Sequence, residues 1–197
     1  MADQDRPHPD ILPPEIPHED TDWTWVIERS CPECGFDGPS LEVTTVGAEI
    51  RANAAQWETL LGDSAVRERP TPVTWSALEY GCHVRDVFDL YRVRLRLMVD
   101  QVDPLYPNWD QDQTAVEQRY DLADPDSVGA ELHEAARLLA AAFDSLGPAD
   151  WARPGRRSDG SSFTIDTFAR YLLHDVVHHV VDVRNGLARV GSGESFI

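Results

Sequence analysis

Hydrophobic residues recur three or four positions apart along four stretches of the chain, which is the spacing of amphipathic helices. The four predicted helices run from about 46 to 61, from the N-cap Ser76 to about 101, from about 126 to 146, and from about 164 to 185. Ser76 and Glu79 have the spacing of a capping box, and Gly186 is in a good position for a helix C-cap. The alternation typical of strands is confined to the short run LEVTTV at 41–46.

Four such helices predict an all-α fold, an up-down-up-down four-helix bundle. The connection from Val102 to Pro125 predicts a long crossover loop of the kind that often forms a lid or a binding loop. The beginning of the chain is rich in proline and acid, which predicts an extended arm or an arm wrapped on the surface. We therefore divide the chain into an N-terminal arm with a CxxC turn (1–44), the bundle (45–190) and a C-terminal tail (191–197).

Composition narrows the class of protein. The chain has 197 residues and a formal net charge of −18, which disfavours nucleic acid and anionic membrane surfaces as partners. No apolar run is long enough to span a membrane, and the first residues do not resemble a secretory signal. Three cysteines, an odd and low number, fit reduced thiols. These features predict a soluble, cytoplasmic protein.

The segment RYLLHDVVHHVVDV, residues 170–183, places several histidines in the fourth predicted helix. His174 and His178 are four residues apart, so their rings converge, whereas His179 lies about 100° further round the helix. His83 lies on the inward face of the second predicted helix. Three imidazoles are a ligand set for a divalent metal with open positions, with zinc, nickel and iron as candidates. The alternative is that these histidines are satisfied by hydrogen bonds in the core or on the helix surface.

The segments WSALEYGCHVRDVF (75–88) and FTIDTFARYLLHDVVHHVVDV (163–183) resemble the DinB-like family of four-helix-bundle proteins. The resemblance spans roughly residues 45 to 190 and extends to mycothiol-dependent maleylpyruvate isomerases and bacterial thiol S-transferases. It implies a divalent metal, preferably zinc, held by His83, His174 and His178, and a small thiol as co-substrate. The doubled histidine at 178 and 179 leaves a shifted pair open.

Other residues are candidates for supporting roles. Metal-bound imidazoles usually donate their second N–H to a carboxylate or carbonyl, which points to Asp86, Asp175 and Asp182. Substrate contacts are predicted for Trp109, Arg156, Arg157 and Tyr171. The two arginines have the chemistry to clamp a carboxylate. Each charged residue in these sets is also compatible with a simple solvated charge.

Cys31 and Cys34 stand in the run CPECG, which has the spacing of half a zinc site. The sequence has no second CxxC, although His8 and His18 in the arm are available. Plain reduced cysteines, a redox or disulfide pair, and a metal site all stay open.

Two classes of function follow. The first is a metal-dependent enzyme that activates a small, mycothiol-like thiol for S-transfer or thiol-dependent isomerisation, with a thiol and an electrophile as its partners. The second is a non-catalytic, stress-associated metal-binding bundle, and either class is compatible with a homodimer. No residue of the sequence stands out as a general acid or base, so the catalytic residues stay unknown.

Overall fold

The structure is a computed structural model that describes residue 16 and residues 21–192. In these residues the helices are α1 (Val46–Leu61), α2 (Ala77–Asp100), α3 (Gln111–Glu117), α4 (Pro125–Asp144) and α5 (Ile165–Ser192). The strands are β1 (Leu105–Tyr106), β2 (Pro154–Arg157) and β3 (Ser162–Thr164). None of the described helices is both long and apolar enough to cross a membrane. The mostly helical architecture that the hydrophobic pattern predicts is confirmed, but the fold is not all-α, because the described residues also form a small three-stranded sheet.

The start of α2 is fastened by the predicted capping box. The Ser76 hydroxyl accepts a hydrogen bond from the Glu79 N–H, and the Glu79 carboxylate accepts one from the Ser76 N–H at 2.8 Å. The guanidinium of Arg69 donates to the same carboxylate, with its Nε 2.9 Å from Oε2. The Glu79 side chain is only 3% exposed, so this network is shielded from water and holds the first turn of α2 in place.

The end of α5 differs from the prediction. The helix continues through Gly186 to Ser192 instead of ending near Asn185. A side chain at Gly186 would come within 3.3 Å of the ring of Pro70. The glycine therefore allows the segment before α2 to approach α5 closely, and the same residue type that ends many helices here serves packing.

Four long helices surround one apolar core. α4 packs against both α1 and α2, and α5 also packs against both. α1 and α2 make few contacts with each other. α1 and α2 thus lie diagonally across the bundle, as do α4 and α5, whereas α2 and α4 are neighbours, and this is not the neighbour order of a simple up-down-up-down bundle. The long connection at 62–76 allows this diagonal crossing. The largest fully buried core side chains include Trp57, Phe88, Leu132, Leu139 and Phe168.

The long connection between α2 and α4 has structure of its own. It contains β1, α3 and a 3-10 turn at Tyr120–Leu122. β1 pairs in parallel with β2, and β2 pairs antiparallel with β3. Residues 154–164, which contain Arg156 and Arg157, therefore form a β-hairpin that turns at Asp159-Gly160. Strands of two to four residues are too short to show alternation. LEVTTV, by contrast, forms a 3-10 turn at Val43–Thr45 that leads into α1.

The described part of the arm packs on α5 and is not simply extended. Its 3-10 turn at Thr24–Ile27 lies against α5, and Val26 and Cys31 are buried. The Arg170 side chain of α5 donates a hydrogen bond to the Gly38 carbonyl. The arm thus covers one face of α5. His8 and His18, considered as ligands for the CxxC turn, lie outside the described residues, and the division into arm, bundle and tail stays a prediction.

Candidate metal centre

A cavity of about 890 Å³ lies above the polar face of α5. Its walls come from the arm, from the crossover around Trp109 and from the β2–β3 hairpin. The aromatic rings that line it are Trp23, Tyr80, Trp109, Phe163 and Tyr171. The carboxylates that line it are Asp22, Glu33, Asp159, Asp175 and Asp182. Arg157 also lines the cavity, but its Nε is already 2.7 Å from an Asp159 carboxylate oxygen.

α5 presents two rows of polar side chains to this cavity. Residues four apart in a helix share a row, and the next residue lies about 100° further round. His174 and His178 form one row, which faces the arm, and the Trp23 ring lies 5.2 and 5.1 Å from their rings. Asp175 and His179 form the other row. The two rows consequently contact different parts of the protein.

The second row meets α2 in a group that we call the cavity cluster, made of His83, Asp175 and His179. Its potential ligand atoms all lie within 4.8 Å of one another. The Nε2 atom of His83 is 3.7 Å from an Asp175 oxygen, and the Nε2 atom of His179 is 3.6 Å from the other oxygen. Asp175 therefore stands between the two imidazoles, beyond hydrogen-bonding distance of either.

Burial and charge act in opposite directions on this cluster. Burial lowers the pKa of His83. For His179, burial also favours the neutral form, but the neighbouring Asp175 and Asp182 raise the pKa to about 10. Burial would raise the pKa of Asp175, whereas His179 and His83 hold that pKa well below its usual range. Asp175 is consequently a carboxylate at neutral pH, and without a metal ion its charge is balanced by His179.

Neighbouring groups hold the cluster in place. The Trp109 ring stacks on His83 at 5.3 Å with an interplanar angle of 7°, and its Nε1 donates to the Thr114 hydroxyl at 2.8 Å. Asp182 lies 3.2 Å from Nδ1 of His179. Because Nδ1 is directed to this carboxylate, Nε2 of His179 is directed toward Asp175 and the cavity.

The first row of α5 meets the CxxC turn of the arm. We call Cys31, Cys34, His174 and His178 the arm cluster, because their potential ligand atoms also lie within 4.8 Å of one another. The predicted set of His83, His174 and His178 is thus not brought together in the described part of the chain: His83 is in one cluster and the other two are in the second. The 100° step between the rows of α5 is the physical reason.

Some of the other predicted site residues line the cavity and others do not. Asp86 accepts hydrogen bonds from Arg85 and from the Tyr120 hydroxyl, so both carboxylate oxygens are engaged away from the cluster. Arg156 pairs with Asp103 on the surface, half exposed, and does not line the cavity. The predicted substrate residues Trp109, Arg157 and Tyr171 all line it.

Sequence reasoning did not identify the direct role available to Asp175 and His179. It assigned Asp175 to a supporting position and kept His179 only as part of a shifted pair. The signal was nevertheless present, because Asp175 and His179 are themselves four residues apart on α5. A carboxylate and an imidazole at this spacing converge as two imidazoles do.

The cavity cluster fits a divalent metal ion. Both ring nitrogens of His83, Nε2 of His179 and Oδ2 of Asp175 are buried without a hydrogen-bond partner among the described residues. Leaving such atoms unpaired is unfavourable, since each loses its hydration. Zinc bonds nitrogen and carboxylate oxygen at roughly 2.0–2.2 Å, so two of its ligands lie at most about 4.4 Å apart. The separations of 3.6 and 3.7 Å satisfy that limit.

Comparison with known proteins agrees with this architecture. The family model of the DinB superfamily matches residues 47–182, which is more than half of the chain. Among solved structures, YfiT from Bacillus subtilis superposes with a TM-score of 0.64 at 20% sequence identity, over 76% of this chain and 86% of YfiT. YfiT is described as a probable metal-dependent hydrolase with an unusual four-helix bundle topology, and at this identity the likeness concerns the fold alone. No curated protein sequence matches the chain significantly. On the strength of the family match, the chain belongs to the DinB superfamily.

Proposed function

We propose that the protein is a divalent-metal-dependent enzyme whose metal ion is bound by His83, Asp175 and His179 in the cavity. The observation that carries this proposal is the convergence of buried nitrogen and oxygen atoms that have no hydrogen-bond partner among the described residues. Two imidazoles and one carboxylate suit zinc, and they also suit nickel or iron. Three protein ligands leave coordination positions open for a substrate or a nucleophile.

A bound divalent cation would lower the pKa of a coordinated thiol or water and so supply a nucleophile at neutral pH. The residues of the chain would position the ligands and shield the reaction. Asp182 holds the His179 ring through Nδ1, and the stacked Trp109 covers His83. The arm and the hairpin close the cavity from two sides, which limits access of bulk water.

A low-molecular-weight thiol is our proposed nucleophile, in S-transfer or thiol-dependent isomerisation. This proposal rests on the resemblance of two motifs, the one around His83 and the one on α5, to those of thiol-using relatives. Water is the competing nucleophile, and the description of YfiT as a probable metal-dependent hydrolase favours testing it.

The acidic lining of the cavity favours neutral or cationic substrates, because Arg157 is already paired with Asp159 and is not free to clamp a carboxylate. A cytoplasmic location and a homodimer remain predictions.

We expect the zinc-loaded protein to consume a small thiol in the presence of a suitable electrophile. Thiol loss is measured across a panel of electrophiles, in parallel with hydrolysis of a panel of esters and amides. Chelation should abolish the reaction, and re-addition of zinc should restore it. Hydrolysis without thiol consumption would replace the thiol by water, whereas bound metal with no turnover in either panel would favour a non-catalytic metal-binding bundle.

The substitution Asp182→Asn tests whether Asp182 holds the His179 ring in position for the metal ion. The amide keeps the shape of the side chain but removes the negative charge that faces Nδ1 of His179. We expect metal affinity or activity to fall about 10- to 100-fold, the usual loss when a carboxylate behind a ligating imidazole is changed. Competition with a metal-binding dye measures the affinity. Asp126→Asn, an exposed change in the first turn of α4, is the control, and equal affinities of the two variants would contradict the assigned role.

A further inference from the structure

The arm cluster has the composition and spacing of a second metal site. Cys31 is 1% exposed, and its Sγ lies 3.9 Å from Nδ1 of His178. All four potential ligand atoms of the cluster lie within 4.8 Å of one another. Zinc bonds thiolate sulfur at about 2.3 Å and imidazole nitrogen at about 2.0–2.1 Å, so a sulfur and a nitrogen on one ion lie at most about 4.4 Å apart. The Cys31–His178 separation satisfies this limit.

The CxxC turn is shaped to direct both sulfurs to one side. The Gly35 N–H donates to the Cys31 carbonyl at 2.9 Å, and the Cys31 N–H donates to the Phe36 carbonyl at 2.8 Å. Gly35 has a φ of +75°, a backbone conformation that favours glycine. The i,i+4 pair on α5 supplies the two imidazoles, and Nε2 of His174 is buried without a hydrogen-bond partner among the described residues. Each half of the site thus has its own rigid support.

The outer contacts of His178 also match those of a metal ligand. While Nδ1 faces Cys31, Nε2 lies 3.6 Å from a carboxylate oxygen of Glu33 and 3.6 Å from one of Asp182. A ligating imidazole usually directs its second nitrogen to a carboxylate in this way. Asp182 directs its other oxygen to His179. This aspartate consequently links the arm cluster to the cavity cluster.

The alternatives for the CxxC pair are less well supported. Cys31 and Cys34 are not disulfide-bonded. A plain reduced pair would leave the buried Nε2 of His174 without a hydrogen-bond partner among the described residues. A bound cation would deprotonate the thiols outright.

We propose that Cys31, Cys34, His174 and His178 bind a structural zinc ion that fastens the N-terminal arm to α5, separate from the metal ion in the cavity. Two cysteines and two histidines complete a tetrahedral zinc sphere and leave no position open for substrate. Because Trp23, Thr24, Ile27 and Glu33 line the cavity, fastening the arm also holds one wall of the candidate active site.

Cobalt substitution of the full-length protein tests this site independently of activity. Thiolate bound to cobalt(II) gives a sulfur-to-metal charge-transfer absorption in the near ultraviolet, which nitrogen and oxygen ligands do not. We expect this absorption in the wild-type protein and in His83→Ala, and its loss in the double variant Cys31→Ser/Cys34→Ser. That double variant should bind one metal equivalent fewer than wild type and should be cleaved faster by protease within residues 21–41.

The wild-type spectrum decides the question even if a variant folds poorly. Absence of the sulfur-to-cobalt absorption in the metal-loaded wild type would overturn the proposal, as would a Cys31–Cys34 disulfide found by mass spectrometry in protein purified under reducing conditions. An unchanged spectrum in the double variant His174→Ala/His178→Ala would also overturn it. These outcomes do not bear on the proposed enzyme, because that proposal depends on metal binding in the cavity cluster and on turnover.

Discussion

His179→Ala is expected to abolish turnover and to remove the metal ion from the cavity, while the neighbouring substitution His178→Ala leaves that ion bound. His179 directs Nε2 to Asp175 and the cavity, whereas His178 directs Nδ1 to Cys31 in the arm cluster. Loss of a direct ligand should exceed the about 10- to 100-fold effect typical of the groups behind ligands. Thiol-consumption rates measure turnover, and elemental analysis of both variants in the Cys31→Ser/Cys34→Ser background, which lacks the thiols of the arm cluster, measures the cavity metal ion alone.

The controls for this prediction come from the chain itself. His83→Ala should behave like His179→Ala, because its imidazole is the α2 ligand of the same cluster. His133 is an exposed histidine on α4 and does not line the cavity, so His133→Ala should keep full metal content and full activity. If His178→Ala lost the cavity metal and His179→Ala retained it, the ligands on α5 would be His174 and His178, as the sequence predicts, and our assignment would be wrong.

Glu79→Ala is expected to lower the free energy of unfolding by about 3–5 kcal/mol, the usual cost of removing one partner from a buried ion pair. The substitution leaves the guanidinium of Arg69 without the carboxylate that it contacts through two nitrogens. It also leaves the Ser76 N–H and hydroxyl without their acceptor. Chemical denaturation followed by circular dichroism measures the change.

A second variant separates charge from shape at this position. Glu79→Gln keeps an oxygen for the capping box but removes the charge, so its stability should lie between those of Glu79→Ala and wild type. Glu134→Ala breaks an exposed pair with Arg137 and should leave the stability nearly unchanged. Equal stability of Glu79→Ala and Glu134→Ala would show that the network contributes little. Because His83 lies one helical turn beyond Glu79, Glu79→Ala should also weaken metal binding in the cavity.

The cysteine turn shows the limit of reasoning from sequence. The spacing of Cys31 and Cys34 predicts half a metal site, and within residues 1–44 the available imidazoles are His8 and His18. The structure brings His174 and His178 to the turn instead, from 140 to 147 positions further along the chain. No local pattern in the arm indicates this contact. It exists because the arm packs on α5, which is a consequence of burying Val26 and Cys31.

Local features can be predicted from the amino-acid sequence alone: the bounds of α1, the capping box of α2, the family, and the convergent i,i+4 pairs on α5. Such features depend on residues within one or two turns of each other, and their spacing is visible in the chain. The row of α5 that meets His83 is fixed by long-range packing and cannot be predicted from local spacing. One residue of difference rotates a side chain by about 100°, so the choice between His178 and His179 depends on how α2, α5 and the arm pack together.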